Sequence, residues 1–275
     1  MLVRRAAAVI ILRNGQTPPQ PAPRRLAVAS LYVEPEAAVE RPEWPTLQFR
    51  DVFKIFRPEQ AEAPSSAGGT DIPETVALRG LDLEVARGEM VAVLGPSGSG
   101  KSTMLHLAAG LDQPSAGEVR AFGRPLGRLD ERGLAAYRAR DVSLVFQTDN
   151  LWPALTAEEN VAMQLSLAGR AGARREAKQA LAAFGLADRG SHRAGALSGG
   201  EIQRVAIAAA ASRQAPLVLA DEPTGELDLG NEKLVLDALR RLRDDFGSTV
   251  VVVTHSPRVA DGVDRVIEMK DGRAL

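Results

Sequence analysis

Apolar and polar residues broadly alternate from Leu47 to Phe56, the pattern of a strand with one covered face. Residues 57–75 carry prolines, serines and the pair Gly68 and Gly69, and read as a long loop. Two further strands are predicted over 76–85 and 89–94, paired around a turn at Arg87 and Gly88. Beyond Leu94 the pattern becomes strand, loop, helix. A helix is expected over 102–109, a short apolar strand over 143–146, and helices over 157–168, 174–184 and 203–212. Residues 217–220 form a wholly apolar run. Val235, Leu239, Leu242 and Phe246 fall at helical spacing, with Gly247 placed to cap that helix. Val250, Val251, Val252 and Val253 are consecutive β-branched residues, as expected of a strand covered on both faces. Strands alternating with helices predict an α/β fold built on a mostly parallel sheet. No internal repeat is visible.

Residues 1–45 lack such periodicity. Pro18, Pro19, Pro21 and Pro23 favour extended geometry, so this stretch is expected to be a weakly ordered tail, with the ordered domain spanning 46–275. Its start, Met1 to Leu12, has a short apolar stretch followed by Arg13 and Asn14 rather than a small-residue cleavage site, and is read as tail rather than leader. No run approaches the roughly 18 apolar residues of a membrane span.

The chain has 275 residues, 45% of them hydrophobic and 25% charged, so a packed core is expected. The net charge of −1 argues against a nucleic-acid partner. Cysteine is absent, which excludes disulfides, thiolate metal sites and thiol nucleophiles.

Two segments carry chemistry in their own right. Gly95, Pro96, Ser97, Gly98, Ser99, Gly100, Lys101 and Ser102, followed by Thr103, match the phosphate-binding loop pattern between an apolar strand and a helix. Glycines let backbone N–H groups turn inward around phosphate oxygens, and the helix N-terminus adds partial positive charge. Lys101 would place a cation on the outer phosphates, and the Ser102 hydroxyl would ligate Mg²⁺. Downstream, the apolar run 217–220 ends in Asp221 and Glu222. At a strand's carboxyl end, Asp221 suits magnesium, and Glu222 suits a base that orients or deprotonates the attacking water.

Leu197, Ser198, Gly199, Gly200, Glu201, Ile202, Gln203 and Arg204 resemble the LSGGQ signature of ABC (ATP-binding cassette) ATPases. Ser198, Gly199 and Gly200 open a helix and would form a second anion site. The resemblance covers roughly residues 47–275. It implies a P-loop NTPase with a RecA-like core, an antiparallel β subdomain, and an inserted helical subdomain at about 147–212. It also implies roles for further residues. Gln147 matches the Q-loop glutamine that reaches magnesium and the lytic water. Asp228 matches the D-loop aspartate that contacts an opposing P-loop, and His255 the switch histidine at the γ-phosphate. Phe56 occupies the place of the aromatic that stacks on adenine, although a core phenylalanine fits the same pattern. His106 and His192 match no role.

In texture the chain is similar to the branch that includes macrolide-export, lipoprotein-release and cell-division ATPases. The segments 95–103, 219–225 and 254–260 carry this likeness, together with 150–161 after the Q-loop. It departs at Glu201 and Ile202, where two glutamines are usual, at Ala209 for a usual arginine, at Glu226 for a usual asparagine, and in its long loop 57–75. The resemblance implies a cassette that dimerises head to tail around two Mg-ATP at the cytoplasmic face of the plasma membrane and drives a separately encoded permease. A regulatory ATPase acting through a membrane protein, or a soluble ABC ATPase, are the alternatives. Leu151, Trp152 and Pro153 stand where the family docks its permease; Trp152 is read either as that anchor or as a residue packed within its own subdomain.

Overall fold

The computed structural model describes residues 44–57, 74–225 and 227–275. Most of the expected tail, residues 58–73 of the expected loop, and Glu226 lie outside the described residues. Strand β1 (Leu47–Phe56) pairs antiparallel with β2 (Thr75–Val85) and with β4 (Ala116–Ala121), and β4 continues into the short β5 (Arg124–Pro125). Their order is β2-β1-β4-β5. Arg57 and Glu74, at the two ends of the long loop, are ion-paired at 2.9 Å.

The second sheet runs β10-β9-β3-β8-β7-β6. Its parallel members are β3 (Met90–Leu94), β6 (Val142–Val145), β7 (Leu217–Asp221), β8 (Thr249–Thr254) and β9 (Arg265–Lys270). The short β10 (Arg273–Ala274) closes one edge antiparallel. The expected pairing of 76–85 with 89–94 is therefore corrected: β2 and β3 lie in different sheets. Burial supplies the reason. β2 alternates in exposure and suits a half-covered sheet, whereas β3 is apolar along its length and nearly wholly buried, which calls for a position between two covered neighbours. The expected alternation in β1 is also imperfect. Leu47, Gln48 and Phe49 are all buried, and the register shifts before Val52, around Asp51 with its positive φ of 46°.

Two apolar clusters flank the parallel sheet. Met90, Ala92, Val218, Ala220, Val250 and Val252 face one; Val91, Val93, Leu217, Leu219, Val251 and Val253 face the other. The first is closed by α3 (Ala157–Leu167), α4 (Ala173–Ala183), α5 (Gly199–Arg213) and α6 (Leu229–Phe246). The second is closed by the antiparallel sheet with α1 (Lys101–Ala108) and α2 (Glu131–Arg140). Helices α3, α4 and α5 also pack on one another. The signature helix begins earlier than its apolar spacing indicated, at Gly199, because Ser198 caps it.

Tyr137 of α2 is 1% exposed and donates from its hydroxyl to Ala108 O at 2.7 Å, closing the end of α1; burial raises its pKa. Tyr137→Phe removes this one bond with little change in volume. It is expected to lower the unfolding free energy by about 1 kcal/mol, read as a lower urea midpoint with an unchanged slope.

Candidate functional site: a cleft at the strand ends

Register brings the site together. In the ladders Leu94 stands beside Thr254, Val253 beside Asp221, and Ala220 beside Val145. Four parallel strands thus end in a row, and the segments leaving them carry the phosphate-binding loop, His255, Asp221 with Glu222, and Gln147. A cleft of about 740 Å³ opens there, within the range of small-molecule sites. Phe56, Ser97, Gly98, Gly100, Lys101, Ser102, Thr103, Gln147, Glu222 and His255 all line it.

The loop between β3 and α1 wraps closely on its neighbours. Gly100 has φ of 100°, and a Cβ there would sit 2.5 Å from Ala77 O, so only glycine fits. Lys101 is 7% exposed and donates from Nζ to Gly95 O at 2.8 Å and Pro96 O at 3.0 Å, which holds the ammonium across the mouth of its own loop. Ser99 Oγ, within this loop, is buried without a hydrogen-bond partner. Ser102 donates to Asp221 Oδ1 at 3.2 Å. Burial pushes the Asp221 carboxyl above its ordinary range, opposed by the Ser102 bond and reinforced by the charge of Glu222.

Glu222 has φ of 44°, a left-handed conformation that costs a non-glycine residue on the order of 1–3 kcal/mol. Its neighbours hold it there. Its N–H donates to Val253 O at 2.9 Å, while Oε2 accepts from Thr254 Oγ1 at 2.8 Å and from His255 N at 3.3 Å. His255 Nδ1 lies 3.0 Å from Glu222 Oε1. Toward an ionised carboxylate, which only accepts, Nδ1 would be the donor of that pair.

Phe56 settles into the cleft rather than the core: it is 43% exposed, with Lys54 Nζ 4.9 Å from its ring centre. The core alternative is therefore removed. Thr75, Val76 and Ala77 also line the cleft and were not foreseen. They sit at the start of a strand with no motif, beyond the long loop, and only the folded sheet brings them to the phosphate-binding loop.

Ser198, Gly199, Gly200 and Asp228 are not among the residues lining this cleft. Ser198 Oγ accepts from Glu201 N at 3.3 Å, and Glu201 Oε2 accepts from Ser198 N at 2.8 Å, a reciprocal capping box. Glu201 also pairs with Arg189 at 2.7 Å, which with the Ser198 bonds lowers its pKa to about 2. The glutamate that departs from the family's usual glutamine thus closes its own helix. Asp228 caps α6, accepting from Gly230 N at 3.0 Å and Asn231 N at 3.1 Å. The two helix starts touch: a Cβ on Gly200 would meet Asn231 Oδ1 at 2.5 Å.

Beyond Gln147, Trp152 is 64% exposed, which removes the reading of it as a core residue. Its backbone is pinned from below by Asn160, 1% exposed, whose Oδ1 accepts from Trp152 N at 2.7 Å and whose Nδ2 donates to Trp152 O at 3.2 Å.

The model of the family described as ABC transporter matches residues 78–225. The lipoprotein-releasing system ATP-binding protein LolD of Geobacter metallireducens is 44% identical over 200 residues, covering 72% of this chain and 89% of that protein. The macrolide export ATP-binding/permease protein MacB of Chromobacterium violaceum is 45% identical over 204 residues, covering 74% of this chain and 32% of that longer protein. Among solved structures, the dimeric cassette MJ0796 bound to ADP and Pi superposes with a TM-score of 0.73 at 36% identity, covering 83% of this chain and 96% of that one. With the phosphate-binding loop, the paired carboxylates and the signature helix built on one P-loop NTPase fold, this chain belongs to the ABC transporter family as an ATP-binding subunit that hydrolyses ATP.

Proposed function

We propose that Mg-ATP occupies the cleft with its adenine against Phe56 and its phosphates on the loop from Gly95 to Thr103. Lys101 then exchanges its carbonyl partners for phosphate oxygens within the same reach. Ser102 and Asp221 would hold magnesium, with Gln147 beside them. Their oxygens stand 3.2 Å apart and are hard donors, and Asp221, its pKa raised by burial, is the carboxylate that a nearby cation would relieve. The ion, when bound, neutralises charge building on the transferred phosphoryl group. Glu222 is the base that orients the attacking water. The observation that carries this is its bracing by Thr254 and His255, which keeps a carboxylate at the rim of the cleft in a strained backbone conformation.

Ser198, Gly199, Gly200 and Asp228 would act on the ATP of a second copy, in a head-to-tail dimer. Their absence from this chain's own cleft supports that reading, as does the likeness to a dimeric cassette. The dimer would work at the cytoplasmic face of the plasma membrane and drive a separate membrane permease. No described helix is long and apolar enough to cross a membrane. The exposed Trp152, close in sequence to Gln147, is the residue to which a permease would anchor.

Glu222→Gln is expected to bind ATP with turnover lowered by about 10²–10⁴-fold, and Lys101→Ala to weaken ATP binding itself. Turnover near normal in the first variant would remove Glu222 from the role. Light scattering of Glu222→Gln with saturating ATP is expected to show a doubled mass that reverts when ATP is removed; a monomer at high concentration would exclude a homodimer. Trp152→Ala is expected to leave the melting temperature and basal hydrolysis unchanged while releasing the chain from membranes. Release without loss of folding supports the permease reading; unaltered membrane association rejects the anchor.

A further inference from the structure

The signature helix touches the Q-loop through one buried amide. Gln203, on the second turn of α5, is 4% exposed. Its Nε2 donates to Phe146 O at 2.9 Å and to Gln147 O at 2.7 Å, and its Oε1 accepts from Asn150 Nδ2 at 3.1 Å. Asn150 closes the same turn, accepting from Phe146 N at 2.8 Å and donating to Phe146 O at 2.6 Å. Both donors of Gln203 are thus spent on the two peptide carbonyls at the exit of β6. A methionine or leucine would fill similar volume without the desolvation cost of a buried amide, so these bonds are what the side chain adds.

The other end of α5 is fastened to the entrance of the same strand. Arg213 donates to Arg138 O at 2.8 Å, Ala139 O at 2.7 Å and Val142 O at 3.1 Å, and to Ser143 Oγ at 3.0 Å. Helix α5 therefore holds β6 before and after its length. A shift of the helix start would be delivered to Phe146 and Gln147 through Gln203, because the strand cannot slip at its far end. The Gln147 side chain leaves the backbone one bond from the carbonyl that Gln203 holds.

We infer that Gln203 is a positioning residue for hydrolysis: it sets where the Gln147 side chain stands in the cleft and ties that placement to the position of the signature helix. The inference rests on the reading of Gln147 as a residue that serves the lytic water.

The test is a double-mutant cycle on the full chain. Gln203→Glu keeps the shape and removes both donors; Gln203→Met keeps the apolar stem and serves if the buried carboxylate prevents folding. Each is made alone and with Gln147→Ala, and turnover, ATP affinity and melting temperature are measured. Displacing a water-orienting group by about 1 Å is expected to cost on the order of 10²-fold in kcat, while ATP affinity, which resides in the phosphate-binding loop, stays within about twofold. In the Gln147→Ala background the same substitution is expected to cost less than about threefold, because its route is already cut. Losses that multiply in the double variant overturn the inference and leave Gln147 in its role. Affinity and melting temperature falling in step with turnover also overturn it, as does unchanged turnover. Normal turnover in Gln147→Ala alone rejects the Q-loop reading itself, and a Gln203 effect in that case would act elsewhere, against the inference.

Discussion

The central strands of the parallel sheet are covered on both faces, and the rest of the molecule follows from that constraint. β3, β7 and β8 send alternate side chains into two separate apolar clusters, and their backbone groups are used in the ladders. Between their end residues these strands hold only apolar side chains, so chemistry collects at the carboxyl ends, where the chain leaves the sheet. The register then decides which chemistries meet. Because Asp221 ends level with Val253, Glu222 emerges beside Thr254 and His255, and its carboxylate finds their donors. A shift of β7 against β8 by one residue would turn every side chain of the strand to the opposite cluster and separate Glu222 from those donors.

The stretches that could be read before folding are those in which one segment contains its own explanation. The loop from Gly95 to Ser102 carries glycines, cation and hydroxyl together between a strand and a helix, and the run 217–222 carries an apolar strand with its acidic end. The four consecutive valines announced a strand covered on both sides, and β8 is buried throughout. What escaped lacks such internal evidence. Helix α2 buries only Leu134 and Tyr137, and β9 buries only Ile267 and Met269, too few positions to set a period. The two short strands β5 and β10 have two residues each. Strand β4 carries Gly117 at a φ of 83° with a would-be Cβ 2.2 Å from Asp51 O, a close approach that its sequence does not advertise.

Interactions between distant segments were the least legible part of the site. Gln203 looks like one more polar residue on a helix until β6 is laid beside it, and Glu232 of α6 is similar: it is 7% exposed, accepting from Ser256 Oγ at 3.2 Å and pairing with Arg258 at 3.3 Å, just past His255. Phe56 and Trp152 show the same limit from the other side. Their identities suit either core or surface, and only the packing around them decides. The fold also gives the departures at Glu201 and Ala209 a place: Glu201 closes the capping box, and Ala209 is fully buried in the cluster beside the sheet.

Asn160 has a consequence for how the surface near the Q-loop would engage anything that lands on it. By gripping Trp152 at both its amide and its carbonyl, the buried asparagine removes backbone freedom from a residue whose indole stands in solvent. The ordering entropy of that segment is then lost when the chain folds, not when it associates. A surface of this kind binds as a rigid body: encounter needs no loop rearrangement, and differences between related partners would be written mainly into how slowly they leave.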